Sequence, residues 1–282
     1  MSVQLIAAVR TPFYRFKEYL HRRPDPDFDW TFVVPASAQL MEQARTLRED
    51  GIVLLPGYFS GDVLRRLQQG FERVIRERVQ KDSVKDTVSA PNFLDVDEVF
   101  PSTALDDTIL ELMARYFRKP FGLGRVGATR LLPTAAYRDH SYQWHHDGRG
   151  RQLHLMILLT PVSSDGQRMK YLSGSHLRFY SKSRGQGHGT RFEKDIVRGD
   201  KLGNRVVEVT GPAGTVAVFD SNGLHSGTRN LSAVRDTVIY SYLSVRHCWQ
   251  WKLKVRRSDF DRLPDTRRRV VTFNPHHQLV DV

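Results

Sequence analysis

Short apolar segments separated by turn residues fill the sequence from residue 126 to residue 245. Gly, Pro, Asn and Asp residues stand between these segments, which is typical of short strands joined by tight connections. The predicted strands are 126–132, 141–146, 153–160, 169–172, 206–209, 215–219 and 237–245. Seven or eight short strands after a helical region predict a mainly β, α+β fold. Its expected form is a double-stranded β-helix, or jelly roll, with the N-terminal helices packed on one sheet.

The sequence before residue 120 has the apolar periodicity of amphipathic helices. Gly51 is a plausible C-terminal cap for the first helix, and Ser60 is a suitable N-cap for the second. The third helix is expected to begin near Ser102 or Thr103 and to end before Pro120. The predictions are helices over 35–50, 60–79 and 102–117 and a short buried strand over 52–55.

The segment Gly122-Leu-Gly-Arg-Val-Gly127 matches the dinucleotide-binding pattern G-x-G-x-x-G. That pattern binds a pyrophosphate when a strand precedes it and a helix follows it. Here a predicted helix precedes the glycines and strand-like residues follow them, which is the reverse order. We therefore interpret the segment as a turn and predict no dinucleotide site.

Two histidines and one aspartate are the strongest candidates for a metal site. His145 and Asp147 stand two residues apart, and in an extended chain that spacing points both side chains to the same face. His225 is predicted to lie at the far end of the apolar strand 215–219. Two imidazoles and one carboxylate on one face of a metal are typical of non-haem Fe(II) oxygenases. The sequence therefore predicts an iron site, although H-x-D alone is common by chance.

An arginine after the third ligand supports this prediction. Arg235 opens the apolar segment that ends at Leu243. A guanidinium binds a carboxylate through two parallel hydrogen bonds, so Arg235 is suited to hold a dicarboxylate that also chelates the metal. Arg229 is the alternative. We prefer Arg235 because it begins a strand, whereas Arg229 lies in a turn rich in Gly, Asn and Ser.

The order of these features resembles the phytanoyl-CoA dioxygenase family of iron(II)/2-oxoglutarate oxygenases. The resemblance extends from about residue 47 to residue 243, and its pieces are 48–59, 144–147, 173–176 and 214–220, followed by His225 and Arg235. It implies a cupin-like jelly roll in which His145, Asp147 and His225 bind iron. It also implies that Arg235 binds the distal carboxylate of 2-oxoglutarate.

The sequence departs from the family pattern beside the distal histidine. The family often has a serine two residues after that histidine, where this chain has Gly227. Ser226 or Thr228 is expected to supply the missing hydroxyl, and we assign Thr228 as the second contact to the cosubstrate. The family also often has Pro-Gly-Ser-His where this chain has Ser173 in the first position.

The resemblance implies a dioxygenase that consumes O2 and 2-oxoglutarate, releases succinate and CO2, and hydroxylates or otherwise oxidises an unactivated C–H bond of a small organic metabolite. Related halogenases replace the metal-binding carboxylate with a small residue. Because Asp147 is present, hydroxylation, desaturation or ring formation is favoured over halogenation. One alternative is a cupin-like metalloenzyme that does not use 2-oxoglutarate.

The charge of the chain is the basis of a second alternative. Lys and Arg number 43 and Asp and Glu 31, which gives a formal net charge of +12. Such a surface attracts anions, so an anionic substrate is a candidate. Examples are a phosphate, a CoA thioester or a carrier-bound acyl group. A basic nucleic-acid-binding protein on a degenerate oxygenase fold also fits the charge. No nucleic-acid-binding motif accompanies it, however, and the intact triad argues against degeneration.

Cysteine content and hydropathy favour a cytoplasmic protein. Cys248 is the single cysteine, which excludes an intramolecular disulfide and suits a reducing compartment. No apolar run reaches the roughly 20 residues of a membrane span. Neither observation predicts the oligomeric state.

We divide the chain into an N-terminal arm over 1–34, the oxygenase domain over 35–248 and a basic C-terminal extension over 249–282. The extension either wraps the domain, forms a dimer contact or binds nucleic acid, and its interspersed aspartates favour the first two. The basic segment 178–191 is either a lid over the iron site or a surface loop. Of the other histidines, His154 could approach the site, but the preferred interpretation is a hydrogen-bonded core residue. His146 is predicted to lie behind the ligands or to face substrate.

Overall fold

The computed structural model describes residues 24–32, 34–35, 37–79, 86–134, 142, 144–147, 152–177, 205–244 and 252–281. Its helices are α1 (Ala38–Asp50), α2 (Gly61–Arg78), α3 (Val99–Ala104), α4 (Asp107–Phe117), α5 (Arg257–Asp261) and α6 (Asp265–Thr272). Its strands are β1 (Ile52–Leu55), β2 (Thr87–Pro91), β3 (Gly122–Leu131), β4 (Gln152–Leu158), β5 (Met169–Leu172), β6 (Val206–Val209), β7 (Val216–Asp220), β8 (His225–Gly227), β9 (Arg235–Leu243), β10 (Lys254–Arg256) and β11 (Gln278–Val280).

Two antiparallel sheets form the body of the fold. The larger sheet has six strands in the order β1-β7-β4-β9-β3-β2, and the smaller has three in the order β6-β5-β8. Apolar side chains of the two sheets meet in one buried cluster, in which Met156 and Phe219 of the larger sheet accompany Met169 and Tyr171 of the smaller. This arrangement confirms the predicted jelly roll.

The outer face of the six-stranded sheet carries the main hydrophobic core. Leu47 of α1, Phe71 of α2 and Phe117 of α4 pack there with sheet residues such as Leu155 and Tyr240. The larger sheet therefore has a helical layer on one face and the smaller sheet on the other, and the prediction that the N-terminal helices pack on one sheet is confirmed. None of the described helices has both the length and the apolar character needed to cross a bilayer.

The ends of α1 follow from local chemistry. The Ser37 hydroxyl accepts a hydrogen bond from the Leu40 amide at 3.1 Å, which caps the start of the helix. Gly51 ends the helix with a φ of 80°, and a Cβ there would lie 2.3 Å from Nδ1 of His176. The cap predicted at Gly51 is thus confirmed. Ser60 stands at the N-cap of α2 as predicted, but its side chain makes no capping bond.

The predicted third helix is two helices. Its break lies at Asp106, whose carboxylate accepts a hydrogen bond from the Ile109 amide at 3.1 Å and so starts α4 as a new helix. The apolar spacing continues across the break, because residues on both sides face the same core. The helix predicted over 102–117 was therefore wrong at its start.

The interpretation of Gly122–Gly127 as a turn was wrong. These residues form the first part of β3, which pairs with β9 and has a register shift between Leu123 and Arg125. Gly122 is required by packing, since a Cβ on it would lie 2.3 Å from the Cβ of Phe273. Glycines in a strand mark such close approaches and bulges. The order of elements still excludes the dinucleotide-binding arrangement.

Two further predictions about strands differ from the structure, and one strand was not predicted. In the predicted strand 141–146, the described residues form only an isolated bridge between His145 and His225. His225 lies in the separate strand β8 of the smaller sheet, not at the end of the strand over 215–219. Strand β2 was missed, because its sequence Thr-Val-Ser-Ala-Pro lacks a clear alternation and ends in proline.

The C-terminal extension packs on the domain. Its strands β10 and β11 pair in parallel, and its helices lie between them in sequence. Leu253, Val255 and Val270 are buried in the main hydrophobic core, and the Arg267 guanidinium hydrogen-bonds Asp107 of α4. This packing accords with the interpretation in which the extension wraps the domain. The segment 178–191, for which we predicted a lid or a surface loop, lies outside the described residues, as do residues 1–23.

Candidate active site

A cavity of about 310 Å³ opens between the two sheets. Histidines and an aspartate gather at one end of it, and apolar side chains such as Met156, Phe219 and Ile239 form part of its wall. The other lining residues are Thr87, Ser89, Arg125, Thr129, Leu131, Tyr142, His145, Asp147, His154, Met169, His225, Gly227, Arg235 and Thr237.

The three predicted metal ligands meet in this cavity. One ligand atom each from His145, Asp147 and His225 lies within 4.8 Å of the others. The Asp147 carboxylate is 3.8 Å from Nε2 of His145 and 3.7 Å from Nε2 of His225. Both histidines are almost fully buried, at 3% and 7% exposure. Residues eighty positions apart in sequence therefore form one compact donor set.

Backbone hydrogen bonds hold the two ligand segments together. His145 and His225 exchange amide-to-carbonyl bonds of 2.9 Å in both directions, and the Asp147 amide donates to the Ser221 carbonyl at 2.8 Å. The geometry of the triad is therefore set by the main chain, not by the side chains alone. The i, i+2 spacing brings both ligands to the site, as predicted, although the segment is a bridge and not a strand.

The turn Ser173-Gly-Ser-His176 supports the segment that leads to His225. The Ser175 hydroxyl accepts a hydrogen bond from the Leu224 amide at 2.8 Å and donates one to the Leu172 carbonyl at 2.5 Å. Nε2 of His176 lies 3.1 Å from the Arg48 carbonyl at the end of α1. This turn therefore connects a covering helix, the smaller sheet and the third ligand.

The protonation states of the triad suit a divalent metal. Nδ1 of His225 donates to the Gly223 carbonyl at 2.9 Å, which leaves Nε2 as the atom that faces Asp147. Burial lowers the pKa of His225, so the ring is neutral near pH 7. Burial alone would raise the pKa of Asp147, but a hydrogen bond from His154 and the nearby imidazoles hold that pKa well below its usual range. A carboxylate and neutral imidazoles are the forms that bind metal.

His154 approaches the site, which was the less favoured of the two interpretations of its sequence position. As the favoured one predicted, it is a buried, hydrogen-bonded residue, with Nδ1 2.9 Å from the Ser241 hydroxyl. Its Nε2 also lies 3.2 Å from Oδ2 of Asp147, the same oxygen that lies 3.7 Å from His225. A histidine in an apolar strand has the same sequence pattern whether its ring contacts a metal-binding residue or some other polar group. His146 is also buried but does not line the cavity.

The two candidate arginines differ in what balances their charge. Arg229 pairs with Asp86 at 3.3 Å, donates to the Thr87 hydroxyl at 2.9 Å and lies over the Tyr142 ring at 4.1 Å. Arg235 lines the cavity and donates to the Gln167 carbonyl at 2.7 Å. No carboxylate of the described residues pairs with it.

Burial lowers the pKa of Arg235 to about 10. Its Nε is also buried without a hydrogen-bond partner among the described residues. A buried cation whose charge lacks a counter-ion is costly unless a ligand supplies one. Arg235 is therefore the arginine that a bound dicarboxylate would satisfy, which agrees with the preference drawn from the sequence.

The structure places Thr228 outside the cavity lining. Its hydroxyl donates to the carbonyls of Arg168 at 2.9 Å and Gly166 at 3.2 Å, so it is occupied in a turn. Ser226 is buried and does not line the cavity either. Gly227 does line it, as does Thr237, which lies two residues after Arg235 on the same face of β9. Thr237 therefore places a hydroxyl in the cavity lining on the same strand as Arg235, and this hydroxyl donates to the Thr129 carbonyl at 3.4 Å.

The residues present fit a ferrous ion. Two imidazole nitrogens and one carboxylate oxygen form the donor set of non-haem Fe(II) sites with open positions. Two of these ligands are also held in position by other residues. The Gly223 carbonyl accepts a hydrogen bond from Nδ1 of His225, and His154 contacts the Asp147 carboxylate. Arg235 in the same cavity is suited to a dicarboxylate that shares the metal.

Comparison with known proteins agrees with this site. A sequence profile described as "Phytanoyl-CoA dioxygenase (PhyH)" matches residues 47–236. The ectoine dioxygenase of Stutzerimonas stutzeri (strain A1501) is 24% identical over 248 residues, which cover 77% of this chain and 80% of the relative. The L-proline trans-4-hydroxylase of Streptomyces griseoviridis is 24% identical over 229 residues, which cover 72% of this chain and 85% of the relative.

Solved structures share the fold. The crystal structure of EctD from S. alaskensis with bound Fe superposes with a TM-score of 0.60 at 19% identity, covering 83% of this chain and 85% of that one. The epimerase SnoN in complex with Fe3+, alpha ketoglutarate and nogalamycin RO gives a TM-score of 0.59 at 16% identity, covering 74% and 85%.

Proposed function

Because the chain belongs to the phytanoyl-CoA dioxygenase family of iron(II)/2-oxoglutarate oxygenases, we propose that it hydroxylates a C–H bond of a small organic molecule. The observation that carries the proposal is the presence of His145, Asp147, His225 and Arg235 around one cavity. A metal-binding triad alone would fit many metalloenzymes. The additional, partly buried Arg235, which has no counter-ion within the described part of the chain, is what favours a dicarboxylate cosubstrate.

Each residue has a defined task in this proposal. His145, Asp147 and His225 hold iron(II), and Arg235 binds the distal carboxylate of 2-oxoglutarate. With its cosubstrate, the metal supplies the activation of O2 that oxidation of a C–H bond requires. His154 holds the Asp147 carboxylate in place, and the apolar wall around Met156 excludes water from the substrate. Positioning within this wall then decides which carbon is oxidised.

The second contact to 2-oxoglutarate is assigned to Thr237 instead of Thr228. Thr237 lines the cavity on the same strand as Arg235, whereas Thr228 does not line it and donates to two carbonyls at 2.9 and 3.2 Å. Because Asp147 remains in the ligand set, we retain hydroxylation, desaturation or ring formation over halogenation.

The proposed substrate is a small metabolite with an anionic group. The relatives are named for ectoine and L-proline, which are small molecules that carry a carboxylate. The net charge of +12 favours an anion over a neutral molecule. We place no nucleic acid among the substrates, since the triad and Arg235 line an internal cavity and not an extended basic surface.

The test is aerobic turnover of the purified protein with Fe(II) and 2-oxoglutarate. Succinate formation is measured in the presence of ectoine, L-proline and other small acids, and the products are inspected for the gain of one oxygen atom. We expect iron-dependent succinate in wild type and none in Asp147→Ala. The matched control is Asp165→Ala, which changes an exposed aspartate outside the cavity. Wild-type protein that loads iron but never forms succinate would contradict the proposal.

A further inference from the structure

Arg125 is the second arginine that lines the cavity, and nothing above assigns it a role. It lies in β3 immediately after the register shift with β9. A bulge of this kind re-aims the side chain that follows it. The residue is exposed although it lines the cavity, so it marks the opening of the cavity to solvent.

The strand register places Arg125 at the metal end of the cavity. Across the sheet Arg125 is opposite Ser241 of β9, and Ser241 is opposite His154 of β4. His154 in turn contacts Asp147 at 3.2 Å. Arg235 lies six residues before Ser241 on the same strand. The two arginines therefore line separate parts of the cavity.

The net charge of the cavity favours the binding of one more anion. Its charged lining residues among the described part of the chain are Arg125, Arg235 and Asp147. A divalent metal and the dianion 2-oxoglutarate cancel each other, and Asp147 offsets one arginine. One positive charge is then left, at the mouth. No carboxylate of the described ranges forms an ion pair with Arg125, in contrast to Arg130 on the same strand, which pairs with Asp236 and Glu72.

The space next to Arg125 is also open. Gly127 is two residues further along β3, and Thr129, two residues beyond that, again lines the cavity. Side chains alternate along a strand, so Gly127 shares the cavity face. A Cβ at Gly127 would meet no atom within 4 Å, and its backbone is not left-handed. The missing side chain leaves room between Arg125 and the hydroxyl of Thr129.

We propose that Arg125 binds a carboxylate of the substrate at the mouth of the cavity and that this protein oxidises a small carboxylic acid, whose body occupies the space over Gly127. The inference rests on the proposed function and names its substrate class. A single carboxylate matches the single positive charge that is left, whereas a phosphate dianion would overcompensate it. The planar guanidinium matches a carboxylate through two hydrogen bonds.

The test uses pairs of probes that differ in this one group. The free acid and the primary carboxamide of L-proline, of ectoine and of each other proteinogenic L-amino acid are titrated into the anaerobic Fe(II)/2-oxoglutarate protein. Binding is followed by the change in the visible charge-transfer band, and succinate formation is then measured in air. The variants are Arg125→Gln, Arg125→Lys and the control Arg76→Gln, which removes an exposed arginine of α2 and so changes the net charge equally.

We expect at least one acid to bind wild type at least about tenfold more tightly than its carboxamide. Arg125→Gln should bind that acid no better than the amide, Arg125→Lys should recover part of the preference, and Arg76→Gln should behave as wild type. All variants should retain the charge-transfer band, because Arg125 and Arg235 line separate parts of the cavity. Inorganic phosphate serves as competitor, and displacement of every acid by phosphate at lower concentration would overturn the choice of a carboxylate.

Failure of the inference differs from failure of the proposed function. If the band forms but no acid is preferred to its amide, or if Arg125→Gln keeps the preference, the assignment of Arg125 is wrong while the oxygenase stands. If the band does not form in wild type, the proposed function itself fails. Loss of the band in Arg125→Gln alone would also overturn the inference, since it would place Arg125 with the cosubstrate.

Discussion

Arg229 and Arg235 show how the surroundings of a residue decide its role. The two are six positions apart, and both are largely buried. The sequence distinguishes them only in that Arg229 lies among turn residues and Arg235 begins an apolar segment. Arg229 is held by Asp86 and by the ring of Tyr142, so it stabilises the fold. Arg235 has no such carboxylate among the described residues, and burial lowers its pKa to about 10. Keeping Arg235 charged therefore carries a cost that a bound dicarboxylate would relieve.

Replacement of each arginine by methionine separates these roles. Arg235→Met should leave the melting temperature of the apo-protein unchanged or raised, because an uncompensated charge is replaced by an apolar chain. It should also markedly weaken binding of 2-oxoglutarate. Arg229→Met should instead destabilise the protein by on the order of 3 kcal/mol, since Asp86 is left without its partner. Thermal melts with and without 2-oxoglutarate give both results, and a destabilised Arg235→Met would count against its assignment.

The open space over Gly127 can be tested by filling it with a side chain. Gly127→Val should fold normally, because a Cβ meets open space and valine favours strands. The added side chain should reduce substrate-dependent succinate formation at least about tenfold while 2-oxoglutarate binding stays unchanged. Circular dichroism and turnover assays test this. Undiminished turnover with the identified substrate would show that the substrate does not pass over Gly127.

Which residues come together was partly predictable from the sequence. The grouping of His145, Asp147 and His225 was predictable because their types and order are restricted by metal chemistry. Arg235 lies at the start of β9, as predicted, and lines the same cavity. For His154 the sequence left two interpretations open, because contact with Asp147 depends on strand pairing across the sheet. The sequence also could not show that the Thr228 hydroxyl is used by the backbone of a turn.

At the scale of elements, the third ligand depends on a short strand. Strand β8 has three residues, and it is held between β5 and the bridge to His145. The hydroxyl of Ser175 adds a bond to the Leu224 amide just before this strand. So short a strand has few contacts of its own, and its position is set by these neighbours.

Removal of the Ser175 hydroxyl should therefore weaken both stability and metal binding. Ser175→Ala leaves the buried Leu224 amide without its acceptor, which should cost about 1–3 kcal/mol in the free energy of unfolding. The matched control Ser232→Ala, at an exposed serine, should change it by less than about 0.5 kcal/mol. Urea denaturation measures the free energy of unfolding of the two variants. An equal effect of the two substitutions would contradict this role of the turn.

Element types were predictable where periodicity and capping agreed. The first helix and the strands β5 and β6 have the predicted bounds to within a few residues. The break at Asp106 was missed because its cap lies within a continuous apolar pattern. The strand start at Gly122 was missed because glycines, which are typical of turns, are required there by the approach of Phe273. Long-range packing, which no local pattern contains, decided both cases.

At the scale of the whole molecule, the six-stranded sheet divides two environments. One face is sealed by helices and by the C-terminal extension, and the other holds the cavity with its triad. The jelly roll was predictable because seven strand segments allow few other arrangements. The cavity was not, because its lining comes from both sheets and from strands distant in sequence.

The contribution of the C-terminal extension to stability can be measured at Leu253. This side chain is fully buried in the main core, so Leu253→Ala should destabilise the protein by about 2–5 kcal/mol. Lys252→Ala, at the exposed neighbour, should be nearly neutral. Chemical denaturation with a single transition would show that the extension unfolds together with the domain. A change below about 0.5 kcal/mol for Leu253→Ala would show instead that the extension is independent of the core.

An anaerobic titration of the apo-protein with Fe(II) and then 2-oxoglutarate shows whether the cavity holds both. We expect a visible charge-transfer band in wild type, its loss in Asp147→Ala, its marked weakening in Arg235→Met and its retention in the control Asp165→Ala. Iron binding without a band on addition of 2-oxoglutarate would instead favour a metalloenzyme that does not use this cosubstrate. Failure to bind iron at all would contradict the assignment of the triad.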